Sequence, residues 1–155
     1  AIWAVMAFAR MGNAGRAWQL WSMLSPINHT LNAGSVGIYK AEPYVMSADV
    51  YSVAPHTGRA GWSWYTGSAG WAWRLLTEEL LGIKRSGTDF SVNARLPDEW
   101  SSFSMAYQYG ESHYQISVSR GDAEYCVTLD GVLLPDDRIP LKDDGQNHTV
   151  EIIQN

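Results

Sequence analysis

The residues best suited to chemistry are concentrated between Gly61 and Trp73, where five large aromatic side chains stand among three glycines and Ser63, Thr66 and Ser68. Flat rings with polar edges suit a sugar, which offers C–H groups for stacking and equatorial hydroxyls for hydrogen bonding. Trp62, Trp64 and Tyr65 precede the helix expected from about Thr66 onward, so they stand in a loop. For them substrate contact and packing are equally open readings. Trp71 and Trp73 fall inside that helix and are read as packing.

Thr66 and Gly67 carry a second chemistry. They stand where a helix begins, and the first amides of a helix lack partners within it while its dipole favours an anion. A phosphate seated there would take the Thr66 hydroxyl as an extra donor and approach the backbone closely at Gly67. An ordinary cap by Thr66 or Ser68 is the alternative that the residues alone leave open. No Gly-x-x-x-x-Gly-Lys occurs, so a nucleotide P-loop is not indicated.

Other candidates are weaker. Glu42 and Asp49 would share a helix face about 10.5 Å apart along the axis, which is long for the carboxylate pair of an inverting glycosidase. Glu42 is better read as a helix cap or as a hydrogen-bond partner for a substrate hydroxyl. His56 and Arg59 can orient sugar or phosphate from the loop, with a plain surface role as the alternative. His29, His113 and His148 have no partner in sequence and receive no role. Two Asn-His-Thr triplets are chance-level sequons, and Asp136-Asp137 and Asp143-Asp144 read as solvated turns.

The elements that must position these residues change character along the chain. Ile2, Val5, Met6 and Ala9, then Ala17, Leu20, Trp21 and Leu24, repeat at helical spacing, joined through Met11-Gly12-Asn13 and ended at Ser25-Pro26. Two short helices with bulky apolar faces cannot bury both alone, which implies a larger helical assembly. Residues 26–42 are polar and glycine-containing. Pro43 opens a further expected helix with Tyr44, Ala48 and Tyr51 on one face. Residues 54–67 form a long irregular loop. A helix follows, with Ala69, Ala72, Trp73, Leu76 and Leu80 as its expected buried stripe and Gly82 past its end.

From Asp89 the period falls to two, through Phe90, Val92, Ala94 and Leu96, then 103–109, 114–118 and 125–129. Asp130-Gly131 signals a tight hairpin, and segments at 139–141 and 150–153 complete about six strands, suited to a small antiparallel sandwich. The expected fold class is therefore α+β, with helical residues 1–85 and a β-sandwich over 86–155.

Composition supports this division. The chain of 155 residues is 46% hydrophobic and 17% charged, which is compatible with a buried core and outside the disordered class. Residues 1–73 hold four basic and two acidic residues, whereas 74–155 hold seven and fourteen. Nucleic acid is a poor partner for a chain without a basic cluster. One cysteine and four scattered histidines offer no disulfide framework and no metal-ligand spacing. No apolar run approaches a membrane span and no signal peptide is recognisable, so a soluble segment cut from a longer protein is expected.

The run from Tyr39 to Tyr51, Tyr-Lys-Ala-Glu-Pro-Tyr-Val-Met-Ser-Ala-Asp-Val-Tyr, and that from Pro55 to Trp71 resemble the glycoside phosphorylases of family 94. Within the family they are most similar to cyclic β-1,2-glucan synthases and 1,2-β-oligoglucan phosphorylases, over roughly the first 85 residues. The resemblance implies the last helices of an (α/α)6 barrel followed by a carboxy-terminal sandwich. It implies inverting chemistry on a β-glucan, in which inorganic phosphate as co-substrate, or water in a hydrolytic analogue, attacks the anomeric carbon, with no organic cofactor. It also assigns phosphate contact to Thr66 and Gly67, which match a family Thr-Gly pair, and so favours the phosphate reading over the cap.

The family's general-acid Asp segment, of Gly-Gly-Asp-Trp-Asn-Asp type, has no match here, and its Asn-Gly-Gly-...-His motif is expected ahead of Ala1. The resemblance therefore implies no catalytic residue in this stretch, which alone should not catalyse without the upstream part of the same polypeptide. It places the parent in the bacterial cytoplasm or on the cytoplasmic face of the inner membrane. Exposed helix faces make self-association an expectation. The rival from another class is a non-catalytic carbohydrate-binding or structural module gripping glucan through Trp62, Trp64 and Tyr65.

Overall fold

The computed structural model describes residues 1–122 and 124–154, and these form two compact units, Ala1–Leu76 and Thr77–Asn155. The first is helical. Helix α1 (Ile2–Arg10) buries Ile2, Val5, Met6 and Ala9 and packs on α2 (Ala14–Leu24), as the spacing predicts. Asn13 starts α2 by accepting the Arg16 amide at 3.1 Å, satisfying one of the orphan donors of the first turn. A 3-10 turn (Pro26–His29) leads to α3 (Ala33–Tyr39), where the sequence reads only as polar and glycine-containing. Gly34 and Gly37 weaken its pattern, but a capping box supplies the start: Asn32 accepts from the Ser35 amide, and the Ser35 hydroxyl accepts from the Asn32 amide.

Residues 43–51 are not helical, which corrects the expectation placed on Pro43, Tyr44, Ala48 and Tyr51. Their backbone turns outward to pair with the following loop instead. Ala48 N donates to Trp62 O, Tyr51 N to Arg59 O, Gly61 N to Asp49 O and Tyr65 N to Met46 O, at 2.8 to 3.0 Å. Non-local partners have replaced the i to i−4 ladder. Helix α4 (Thr66–Arg74) follows, continued by a π-helical segment Leu75–Leu80. Its first residue is preceded by Tyr65 as cap, and neither Thr66 nor Ser68 makes the side-chain capping bond that was the alternative for them. The buried stripe is also different. Ala72, Leu75, Glu79 and Leu80 are buried, whereas Ala69 is exposed and Trp73 is 69% exposed.

The second unit contains two sheets. One has the order β1-β2-β7, from β1 (Ile83–Ser86), β2 (Asp89–Val92) and β7 (Ile139–Pro140); β1 is a strand that the alternation from Asp89 onward does not foretell. The other has the order β3-β4-β8-β5-β6, from β3 (Ser102–Tyr109), β4 (Ser112–Arg120), β5 (Cys126–Leu129), β6 (Val132–Leu133) and β8 (Asn147–Gln154). The alternating apolar residues enter one shared core: Phe90 and Val92 of β2 and Ile139 of β7 cluster with Tyr114, Ile116, Val118, Val127, Val150 and Ile152. The β5–β6 hairpin turns at Asp130 (φ 51) and Gly131 (φ 78), two left-handed residues as the Asp-Gly pair predicts. The expectation of purely antiparallel sheets is corrected by β8, which lies parallel to β4 with His113 opposite Asn147. Its insertion between β4 and β5 is a long-range choice made by burial of Val150 and Ile152, which are 0% and 1% exposed.

Candidate functional site

The helical unit holds an open cavity of about 810 Å³. Its floor is the start of α4, since Tyr65, Thr66, Gly67 and Ser68 all line it, with Trp64 and Trp71 beside them. Ala69 N closes onto Tyr65 O at 3.0 Å as the first full helical bond, so the amides ahead of it have no i−4 acceptor in α4. A Cβ built on Gly67 would meet nothing within 4 Å, so the backbone there is open to close approach. This arrangement can hold an anion or an oxygen-rich ligand through backbone donors, with aromatic rings alongside.

The aromatic wall is fixed residue by residue. Trp64 adopts a left-handed backbone (φ 60), unusual for a bulky residue, and its indole Nε1 donates to Glu42 Oε1 at 3.2 Å. Tyr44 meets its ring edge-on, with centroids 6.2 Å apart. Glu42 thus positions an indole instead of capping a helix. Trp71 lies edge-on to Trp3 at 5.3 Å, with the Arg74 guanidinium 5.2 Å from its ring centre.

The remaining sequence candidates stand elsewhere. Trp62 is 78% exposed and is not among the residues that line the cavity. His56 and Arg59 are exposed in the loop that the bridge between Val50 and Ala60 closes, and the His56 ring tilts against Tyr51 at 6.0 Å. Four of the eight candidates, Trp64, Tyr65, Thr66 and Gly67, therefore line one cavity, and Glu42 reaches it through Trp64.

Sequence reasoning passed over other lining residues. His29 stacks on Tyr39 with centroids 5.0 Å apart, and its Nε2 stands 2.8 Å from Met23 O. The Tyr39 hydroxyl is 3.3 Å from that of Ser47. Asp49, considered only as half of a carboxylate pair, brings the one carboxylate among the lining residues. Only the capping signal at Asn32 to Ser35, which starts the helix ending at Tyr39, hinted at this side of the cavity. Among the described residues, no three His, Cys, Asp or Glu are grouped so as to hold a metal ion. No described helix is long and apolar enough to cross a membrane.

Comparison with known proteins matches residues 1–82 to the catalytic domain of the glycosyl hydrolase 94 superfamily. Cyclic beta-(1,2)-glucan synthase NdvB of Rhizobium meliloti (strain 1021) is 42% identical over 120 residues, 77% of this chain and 4% of that protein. Solabiose phosphorylase of Paenibacillus borealis is 27% identical over 153 residues, 96% of this chain and 20% of that protein. The N,N'-diacetylchitobiose phosphorylase of Vibrio proteolyticus is 27% identical over 162 residues, 97% of this chain and 19% of that protein. The chain spans a fifth or less of the length of each of these relatives.

Proposed function

Because the chain belongs to the glycosyl hydrolase 94 superfamily, we propose that it is the carboxy-terminal segment of a glycosyltransferase or glycoside phosphorylase of cyclic β-1,2-glucan synthase type. In this reading it contributes one wall of the β-glucan site and the seat of inorganic phosphate. The helices of the first unit are then part of an (α/α)6 barrel, and the two sheets its sandwich domain. The observation that carries the reading is the start of α4: Thr66 and Gly67 stand at a helix terminus that no side chain caps, within a cavity that Trp64 and Tyr65 also line.

The chemistry divides accordingly. Phosphate held at Thr66 and Gly67 has its charge balanced by backbone donors and the helix dipole, and one of its oxygens is presented to the anomeric carbon. Trp64, held by Glu42, and Tyr65 supply ring faces for glucose units. Trp62, His56 and Arg59 extend the substrate contact along the loop. The acid that protonates the leaving oxygen belongs to the upstream part of the polypeptide, so the segment by itself is inactive and self-associates through uncovered helix faces. The parent works in the bacterial cytoplasm or on the cytoplasmic face of the inner membrane.

The test is the phosphate dependence of the full-length protein. Inorganic phosphate should drive cleavage of a β-1,2-glucan, and Thr66→Ala should raise the phosphate KM about tenfold or more while leaving glucan affinity within twofold, a loss of about 1.4 kcal/mol. Cleavage independent of phosphate, or a Thr66→Ala enzyme with unaltered phosphate response, would remove Thr66 and Gly67 from this role.

A further inference from the structure

One cluster of titratable side chains in the strand unit stands apart from the candidate site. His148 on β8 is 8% exposed, and both its ring nitrogens face carboxylates. Nδ1 is 2.8 Å from Asp130 Oδ2, and Nε2 is 3.2 Å from Asp144 Oδ1. The ring is stacked on Tyr114 of β4, with centroids 4.7 Å apart. Each carboxylate anchors a different piece of backbone. Asp130 is the first residue of the β5–β6 turn, and its Oδ1 accepts the Thr149 amide at 2.8 Å. Asp144 lies in the segment that leads into β8, and its Oδ1 also accepts from Ser112 Oγ at 3.0 Å and the Gln146 amide at 3.1 Å.

A neutral imidazole has one N–H and one lone pair, whereas two carboxylates offer only acceptors. Satisfying both contacts requires both ring protons. We propose that His148 is a proton-dependent latch: as imidazolium it fastens the β5–β6 turn and the segment before β8 to the same strand, and on losing a proton it releases one of them. The released partner is Asp144, whose contact is the longer, while Asp130 keeps the shorter one.

The groups facing the ring are Asp130 from the turn, Asp144 from the segment before β8, and Tyr114 from β4. Lys142 acts on Asp130, and Tyr109 on Tyr114. Against the single ammonium stand two carboxylates in direct contact, so the local field retains the proton. The hydrogen bond to Asp130, opposed by burial and reinforced by Asp144, holds His148 above the ordinary imidazole value of 6.5. The side-chain bond from His148 chiefly lowers Asp130, and the Gln146 amide chiefly lowers Asp144.

The signs define a window. A group raised on folding contributes fully below its unfolded value, here 6.5, and that contribution is lost as pH climbs through the raised value. The lowered carboxylates contribute above their unfolded value of 3.8 and lose it as pH falls through their folded ones. The latch is closed between these limits and opens on the alkaline side.

The test combines nitrogen-15 spectroscopy of the imidazoles in the full chain with amide exchange, using His148→Gln to assign the resonance. At pH 6 both His148 nitrogens should be protonated, with a midpoint above 6.5, and Asp144→Asn should lower that midpoint. Amides of Asp144, Gly145 and Gln146 should lose protection severalfold between pH 6 and pH 9, beyond the intrinsic rate, in wild type and not in His148→Gln. A neutral ring at pH 6, or the same exchange profile in both proteins, overturns the latch. Should His148→Gln not fold, the midpoint in wild type against Asp144→Asn decides: an unmoved midpoint overturns it equally.

Discussion

The carboxylate of Asp49 lies directly against the Cα of Gly61, so that a Cβ at position 61 would overlap Oδ1 of Asp49. The same two residues are joined through the backbone, Gly61 N to Asp49 O at 3.0 Å. Gly61 is therefore needed for close approach, and Asp49 is the residue that needs it. Gly61→Ala is expected to cost about 1–3 kcal/mol, as overpacking does. Asp49 is exposed at the cavity, so truncating it removes the clash cheaply. In Asp49→Ala protein the Gly61→Ala penalty should shrink to well under half. Urea unfolding of the four proteins gives the coupling, and an additive cycle would show that the two positions do not interact.

Gly82 makes a harsher demand. Its φ of 75 is left-handed, and a Cβ there would overlap the backbone carbonyl of Asn93, to which its own carbonyl is already tied through the Asn93 amide. Backbone cannot swing aside as a carboxylate does. Gly82→Ala should cost about 2–5 kcal/mol, from the left-handed penalty plus overpacking. Thermal unfolding followed by circular dichroism in the strand region checks this, and a melting temperature within 2 °C of wild type, against an expected shift of about 8 °C or more, contradicts it.

These two glycines mark what was and was not legible in the chain. Gly82 follows a periodic helical run, so its terminal role could be read locally. Gly61 could not, because its partner comes from residues 43–51, whose aromatic spacing imitates a helix while the backbone actually pairs with 59–65. Local signals also recovered α1, α2, the Asp130-Gly131 turn and the alternation of β2, β3, β4 and β8. They failed where the deciding contact was distant: the parallel seat of β8 beside β4, and the exposed face of Trp73. The same division runs through the candidate site. Trp64 to Gly67 are contiguous and visible as one anomaly, whereas His29, Tyr39 and Asp49 reach the cavity only after the intervening turns have folded.

Tyr125 offers a pH-dependent prediction from the other end of the scale. Its hydroxyl donates to Val92 O at 2.7 Å, and burial, with Asp137 and Cys126 adding to it, pushes its pKa up to about 12. A raised value on folding means that the contribution is complete below the unfolded value of 10.0 and is lost as pH rises toward about 12. Tyr125→Phe should cost about 1 kcal/mol at pH 7, the net worth of one hydrogen bond, and should flatten part of the fall in stability above pH 10. Denaturation series at pH 7 and pH 11 test this. Equal losses at both would show that the hydroxyl is not the titrating group.

The bond between Trp64 and Glu42 makes the last prediction, which rests on the proposed β-glucan site. Trp64 holds a strained left-handed backbone, and its indole is steadied by one acceptor, Glu42 Oε1, and one aromatic edge, Tyr44. If the ring face contacts glucose, removing it in Trp64→Ala should raise the glucan KM of the full-length enzyme about tenfold, equivalent to about 1.4 kcal/mol. Glu42→Leu removes the acceptor but leaves the ring, so a smaller loss of about threefold is expected, with indole fluorescence shifted. Glu42→Gln retains an amide oxygen that accepts from Nε1 and should lose least of the three. The order matters more than the size. A Gln variant as impaired as the Leu variant, with fluorescence like wild type, would mean that the carboxylate contacts the sugar itself, and Glu42 would cease to be a positioning residue for Trp64.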